Sequence, residues 1–215
     1  MNFIIYSDFD GTITTIDSFD KIITEVYSYE TYKETENLLL ENKITYETYL
    51  NMFNGITYDI TSLINDVDIN FQEFYTWIQT NNIEFYIISA GFKTIIQHVL
   101  PYVNPDIIYS NQISINNNVF ELNLYDISIQ KNNIIDLHNK PDYKSIFIGD
   151  GLSDFKVIGK VDYLFCKKDS LLHKKCVDEN HQHIVFTNFK DVLEKIQPLV
   201  PVHVFEHELV PAPEP

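Results

Sequence analysis

From Phe85 onward the chain alternates short apolar runs with amphipathic stretches, and this alternation is what most limits its fold. Phe85-Tyr86-Ile87-Ile88, 145–148, 163–166 and Ile184-Val185-Phe186 read as buried strands, and Phe3-Ile4-Ile5-Tyr6 reads as another near the start. Helical stretches separate the later ones: one running to about Leu100 before Pro101, one over 132–138 opened by Lys131, one through Val157, one near 171–177 and a last over 189–196. Such alternation implies a mostly parallel sheet wrapped by helices, an α/β class.

Before Ile83 the pattern is helical instead. Asp17-Ser18 is placed to cap a helix with Phe19, Ile22, Ile23 and Val26 on one face, and further helices are expected over 32–41, 45–53, 60–67 and 71–81. Residues 107–124 read as short strands with a hairpin turn at Asn116-Asn117-Asn118. The expected organisation is a core of 1–15 and 82–197, a helical cap of 16–81 inserted after the first strand, and a proline-rich extension at 198–215.

Charge narrows the partners. The chain carries 31 acidic and 15 basic residues, a formal net charge of -16, and every base is lysine. That balance argues against nucleic acid and anionic membrane surfaces, which need clustered cations. It also removes the bidentate arginine clamp for carboxylate or phosphate, so an anionic substrate must be held by lysine, backbone amides and a metal. Cys166 and Cys176 lack Cys-x-x-Cys spacing, which argues against a disulfide framework or structural zinc. His98, His138, His173, His181 and His183 lack ligand spacing, and His203 and His207, four apart, fall in the proline-bounded tail. Acids as early as Asp8 and Asp10 do not suit a signal peptide, and no apolar segment approaches a membrane span; the expected location is the cytoplasm.

Three strands end in polar signatures, and in an open parallel sheet the carboxyl ends of neighbouring strands form the ligand crevice. The first delivers Asp8 and Asp10 within Ser7-Asp8-Phe9-Asp10-Gly11-Thr12, where Gly11 allows a sharp turn and Thr12 adds a hydroxyl. The pair taken alone reads as turn chemistry. The second strand delivers Ser89, Ala90 and Gly91, the later one Asp150 and Asp154, and Lys131 opens the helix between them. Together these make a phosphate-handling set. Asp8 and Asp150 with a backbone carbonyl suit Mg²⁺, while Ser89 and amides near Gly91 suit phosphate oxygens. Lys131 offsets charge on phosphate and nucleophile.

Asp8-Phe9-Asp10-Gly11-Thr12, Ser89, Lys131 and Gly149-Asp150-Gly151 followed by Asp154 resemble, in order, the four motifs of the haloacid dehalogenase superfamily of phosphatases. The resemblance implies a Rossmann-like three-layer α/β/α fold with a cap after the first strand. It also implies a Mg²⁺-dependent phosphomonoesterase acting on a small phosphorylated metabolite. In that scheme Asp8 is the nucleophile and Asp10 the acid/base, its carbonyl also on the metal. Thr12, Ser89, Ala90 and Gly91 hold phosphate, Lys131 steadies the intermediate, Asp150 binds Mg²⁺, and Asp154 orients Lys131 or a metal-bound water. Asp17, nine residues after Asp8, is where the branch of that superfamily holding phosphoserine phosphatase places an acid facing the substrate, and it also suits a helix N-cap.

The likeness runs to the branch holding phosphoserine phosphatase and the methionine-salvage enol-phosphate phosphatase. The 19-residue gap from Lys131 to Asp150 looks closer to the salvage group. A cysteine-rich segment often found before the lysine in that group's bacterial members is missing. The absence of any arginine counts more heavily against phosphoserine. A phosphotransferase and a catalytically silent binding protein of the same fold are the alternatives. As an assembly, a monomer or homodimer is expected.

Overall fold

The computed structural model describes residues 2–122 and 130–200. Its centre is a six-stranded parallel sheet in the order β3-β2-β1-β6-β7-β8, formed by β1 (Asn2–Ser7), β2 (Glu84–Phe92), β3 (Ile108–Asn111), β6 (Tyr143–Gly149), β7 (Tyr163–Lys167) and β8 (Ile184–Phe186). The helices α5 (Lys93–Val99), α6 (Lys131–His138), α7 (Leu171–Asp178) and α8 (Phe189–Ile196) alternate with the later strands. β1 is buried along almost its whole length and pairs with both β2 and β6. The chain builds outward from β1 to β3, then crosses to β6 on the other side, so the switch point lies at β1.

β2 runs to Phe92 rather than stopping at Ile88, with a register shift against β3 between Ile88 and Phe92. In that irregular stretch side chains replace ladder partners. Ser110 Oγ donates to the Gly91 carbonyl, Asn111 Nδ2 donates to the Ala90 carbonyl, and the Gly91 N–H donates to Ser89 Oγ.

Between β1 and β2 lie α1 (Ser18–Val26), α2 (Tyr29–Leu40), α3 (Tyr46–Leu50), 3-10 turns at Asn51–Phe53 and Ile60–Asp66, and α4 (Phe71–Thr80). The expected 16–81 unit divides in its packing. The segments entering and leaving α1–α3 run antiparallel through a Thr14–Val67 bridge, with Asp68 N donating to the Ile13 carbonyl. Beyond it, α4 lies against the core: Phe71 and Phe74 each sit 5.0 Å from the Phe189 ring of α8 and also meet Phe85 of β2. Asp68 ties the two helix starts together by accepting from Phe189 N. The helices α1–α3 dock through aromatic rings instead, with Phe19 4.4 Å from Phe53 and 4.8 Å from Phe92.

The antiparallel hairpin of β4 (Ile113–Asn116) and β5 (Val119–Leu122) turns at Asn117 and Asn118, both at positive φ, as a tight two-residue hairpin requires. It hydrogen-bonds residues 55–58 beside α3. The expected strand region beyond Leu122 and the tail beyond Val200, with His203 and His207, fall outside the described residues. Val200 itself is buried in the main core, so the chain stays packed two residues past Pro198. No helix among the described residues is long and apolar enough to cross a membrane.

Candidate active site

The adjacent strands β2, β1 and β6 bring Ser89, Asp8 and Asp150 to one edge of the sheet. Asp8 is buried, and its N–H donates to the Ile148 carbonyl, so the residue is held by the sheet's last rung. Its Oδ1 accepts from Phe9 N at 2.7 Å and from Lys131 Nζ at 2.8 Å. Oδ2 carries neither contact. Burial and the neighbouring Asp154 push the Asp8 carboxyl well up, while Lys131 opposes them.

Lys131, fully buried at the start of α6, also donates to Asp154 Oδ1 at 2.6 Å. Burial alone would lower its pKa, but the two carboxylates outweigh it and hold the ammonium above its usual value. Asp154 is wholly buried, and its Oδ2 accepts the backbone N–H groups of Asp150 and Gly151, both at 2.9 Å. It therefore shapes the loop that presents Asp150 and anchors Lys131 at once. Burial first, then Asp154, pushes the Asp150 carboxyl up to about 7.

Asp10 divides its oxygens between two elements. Oδ1 accepts from the Ser18 hydroxyl and Ser18 N at the start of α1, and Oδ2 accepts from Ser89 Oγ at 3.2 Å. Burial raises this carboxyl, and the Ser18 and Ser89 hydrogen bonds oppose the shift. The turn after β1 depends on Gly11, at φ 70°, where a Cβ would overlap Asp150 Oδ2.

Thr12 is turned differently from expectation. Its hydroxyl donates to Asp150 Oδ1 at 2.6 Å, because the Gly11 turn stacks it directly on that carboxylate. Asp17 caps α1 through Phe19 N and also faces the site: burial and the charge of Asp10 raise its carboxyl well above the usual range. Ala90 takes part through its carbonyl, which accepts from Tyr46 OH of α3 at 2.8 Å and from Asn111 Nδ2 at 2.6 Å. Burial and then the charges of Asp17, Asp10 and Asp8 raise the Tyr46 phenol.

Ser18, Lys167 and Asn111 were not singled out from sequence as site residues. Lys167 donates to the Gly11 carbonyl and moderates the Asp150 charge. A signal existed for two of them, since Lys167 ends β7 and Asn111 ends β3, at the same sheet edge. Ser18 gave only a capping signal.

The donor set fits a hard divalent cation. Carboxylate oxygens of Asp8, Asp150 and Asp154 lie within 4.8 Å of one another, and burial followed by the charge of Asp154 pushes the first two up, an excess of negative charge that the single Lys131 ammonium does not balance and a cation would. Both Asp154 oxygens are already committed to Lys131 and the loop N–H groups, which leaves Asp8 and Asp150 as the available carboxylates.

No protein-family model matches the chain. Over 94% of its length it is 25% identical to a Bacillus mycoides 2-hydroxy-3-keto-5-methylthiopentenyl-1-phosphate phosphatase, covering 99% of that protein. Over 90% it is 25% identical to the Saccharomyces cerevisiae polyol phosphate phosphatase, covering 92% of it. A Francisella tularensis phosphoserine phosphohydrolase-like protein superposes with a TM-score of 0.67 at 20% identity, over 91% of this chain and all of that one. A substrate-bound phosphoserine phosphatase superposes with a TM-score of 0.68 at 16% identity, over 91% of this chain and 98% of that one. The structural likenesses establish a shared fold. With that fold and near full-length similarity to curated phosphatases, the chain resembles the haloacid dehalogenase-like phosphatases of the branch holding phosphoserine phosphatase and the methionine-salvage phosphatase.

Proposed function

We propose that the chain is a Mg²⁺-dependent phosphomonoesterase that removes phosphate from a small hydroxylated metabolite through an aspartyl-phosphate on Asp8. The observation that carries this reading is Asp8 itself: one oxygen is pinned by Lys131 and Phe9 N, the other bears neither contact, and the acid/base candidate Asp10 stands beside it. Asp8 Oδ2 attacks phosphorus, and the ester oxygen departs with a proton from Asp10. Water then attacks the phosphoryl group, returns its proton to Asp10 and releases inorganic phosphate, restoring Asp8. Lys131 balances charge on Asp8 through both steps, and the Ser89 hydroxyl, held by the Gly91 N–H that donates to it, serves as the donor to a phosphoryl oxygen. Asp8, Asp150 and the Asp10 carbonyl would hold Mg²⁺, which when bound supplies the positive charge that lets an anionic nucleophile meet an anionic ester.

The leaving-group side bears on substrate class. Around it stand Asp17 and Tyr46, and the chain has no arginine to clamp a carboxylate. This favours polyol-type and other hydroxylated phosphates over phosphoserine, in keeping with the polyol phosphate specificity named for the yeast relative. The helices α1–α3 act as the cap that closes over the substrate and excludes water. The test is phosphate release from a panel of polyol phosphates, sugar phosphates and phosphoserine, with Mg²⁺ and with EDTA. Expected is Mg²⁺-dependent release that prefers polyol phosphates and is abolished in Asp8→Asn. Full hydrolysis by Asp8→Asn overturns the mechanism, and a preference for phosphoserine overturns the substrate class.

A further inference from the structure

An acid that protonates a leaving oxygen must present one carboxyl oxygen to it and keep it there. An aspartate side chain does not ensure this alone, because its terminal torsion is soft and its two oxygens are equivalent. In this chain the equivalence is broken by α1. The Ser18 hydroxyl and the Ser18 N–H, the latter at 3.3 Å, converge on Asp10 Oδ1. Oδ2 is left facing β2, where Ser89 Oγ lies 3.2 Å away and Gly91 leaves room, since a Cβ there would overlap Oδ2.

Helix needs do not explain the Ser18 hydroxyl. The start of α1 is already capped by Asp17, which accepts from Phe19 N and Asp20 N. Ser18 is the first residue of the helix and is buried, with 4% of its surface exposed. Its N–H is one of the first-turn donors without an intrahelical partner, and it is spent on Asp10. Both donors thus travel with α1, whose neighbouring Phe19 docks on Phe92 of β2.

We propose that Ser18 is a positioning residue for Asp10: it fixes Oδ1 so that Oδ2 is the oxygen that exchanges the proton with leaving group and water, and it does so only while α1 is docked on the sheet. This rests on the phosphomonoesterase reading of Asp10 above. Ser18 touches no reacting atom.

The test compares kcat/KM, which reports phosphoryl transfer to Asp8, for two esters in Ser18→Ala, Ser18→Thr and Asp10→Asn. Glycerol phosphate releases an alkoxide that needs a proton, whereas p-nitrophenyl phosphate releases a phenolate that does not. General acid catalysis contributes on the order of 10²- to 10⁴-fold, so a partly misplaced acid should cost Ser18→Ala about tenfold on glycerol phosphate and less than about threefold on p-nitrophenyl phosphate. Ser18→Thr, which keeps the hydroxyl, should recover glycerol phosphate turnover. Asp10→Asn should show the same selectivity, enlarged. Equal losses on both esters in Ser18→Ala, or no loss on either, while Asp10→Asn still discriminates, overturn the role of Ser18. Failure of Asp10→Asn to discriminate overturns the acid assignment of Asp10, and the positioning role with it.

Discussion

Replacing Gly91 by alanine adds one methyl group at the most crowded point of the site, between the acid/base candidate and the phosphate-side serine. The added Cβ overlaps Asp10 Oδ2 and comes to 3.0 Å from Ser89 Oγ. Gly91 is not among the glycines at positive φ, so the backbone accepts alanine and the effect comes from the methyl alone. Ser89 Oγ cannot yield, because Ser89 is fully buried and its oxygen accepts from Gly91 N at 2.8 Å. The Asp10 carboxylate must therefore move, by about 1 Å, and a displacement of that size costs roughly 10²-fold in rate. The fold loses less: overpacking at one buried position costs about 1–3 kcal/mol. For a domain of this size, that lowers Tm by roughly 2–4 °C per kcal/mol. The assay is Mg²⁺-supported kcat/KM on an alkyl phosphate beside a thermal melt of the same preparation. A rate within about threefold of wild type would show that Asp10 does not work from the position seen here, and would refute the reasoning.

Two further perturbations test the electrostatics and the contact from α3. The Asp150 carboxyl is raised to about 7, above an unfolded value of about 3.9, so the folded metal-free chain holds an extra proton between those values. The associated stability is full below about pH 4 and lost as pH rises through about 7, and the burial-raised Asp8 and Asp17 act in the same direction. EDTA-treated protein should melt lower at about pH 8 than at about pH 5.5, and Mg²⁺ should recover the loss at the higher pH, with an affinity that weakens as protons compete below about 7. Identical melts at both pH values would contradict the buried acid cluster. Tyr46→Phe removes one hydroxyl from the Ala90 carbonyl and leaves the Asn111 donor in place. A neutral hydrogen bond is worth about 1 kcal/mol, so KM should rise about fivefold with kcat little changed. An unchanged KM would mean that this contact is not made in the working enzyme.

The sheet and the strand-end acids and serine, Asp8, Ser89, Asp150 and Asp154, were legible in the sequence because each depends on local pattern, whereas Lys131, at a helix start, stood out only beside those motifs. A buried parallel strand announces itself as an apolar run, and its carboxyl end as the first polar residues after the run. The Asn117-Asn118 turn was legible for a similar reason, since left-handed backbone favours asparagine.

What the tertiary structure alone decided is which distant groups meet. Phe71 and Phe74 meet Phe189 because strand order brings α8 beside α4, and helical periodicity carries no strand order. The Thr12 hydroxyl turns to Asp150 because the Gly11 turn aims it there, whereas its residue type suited a phosphate contact equally well. Ser18 read as part of a helix cap, and only the docking of α1 shows its hydroxyl on Asp10. In each case the sequence determined the chemical capacity of the residue. The partner was chosen by packing between segments far apart in the chain, where burial forces every polar group to find whatever donor or acceptor the neighbouring element brings.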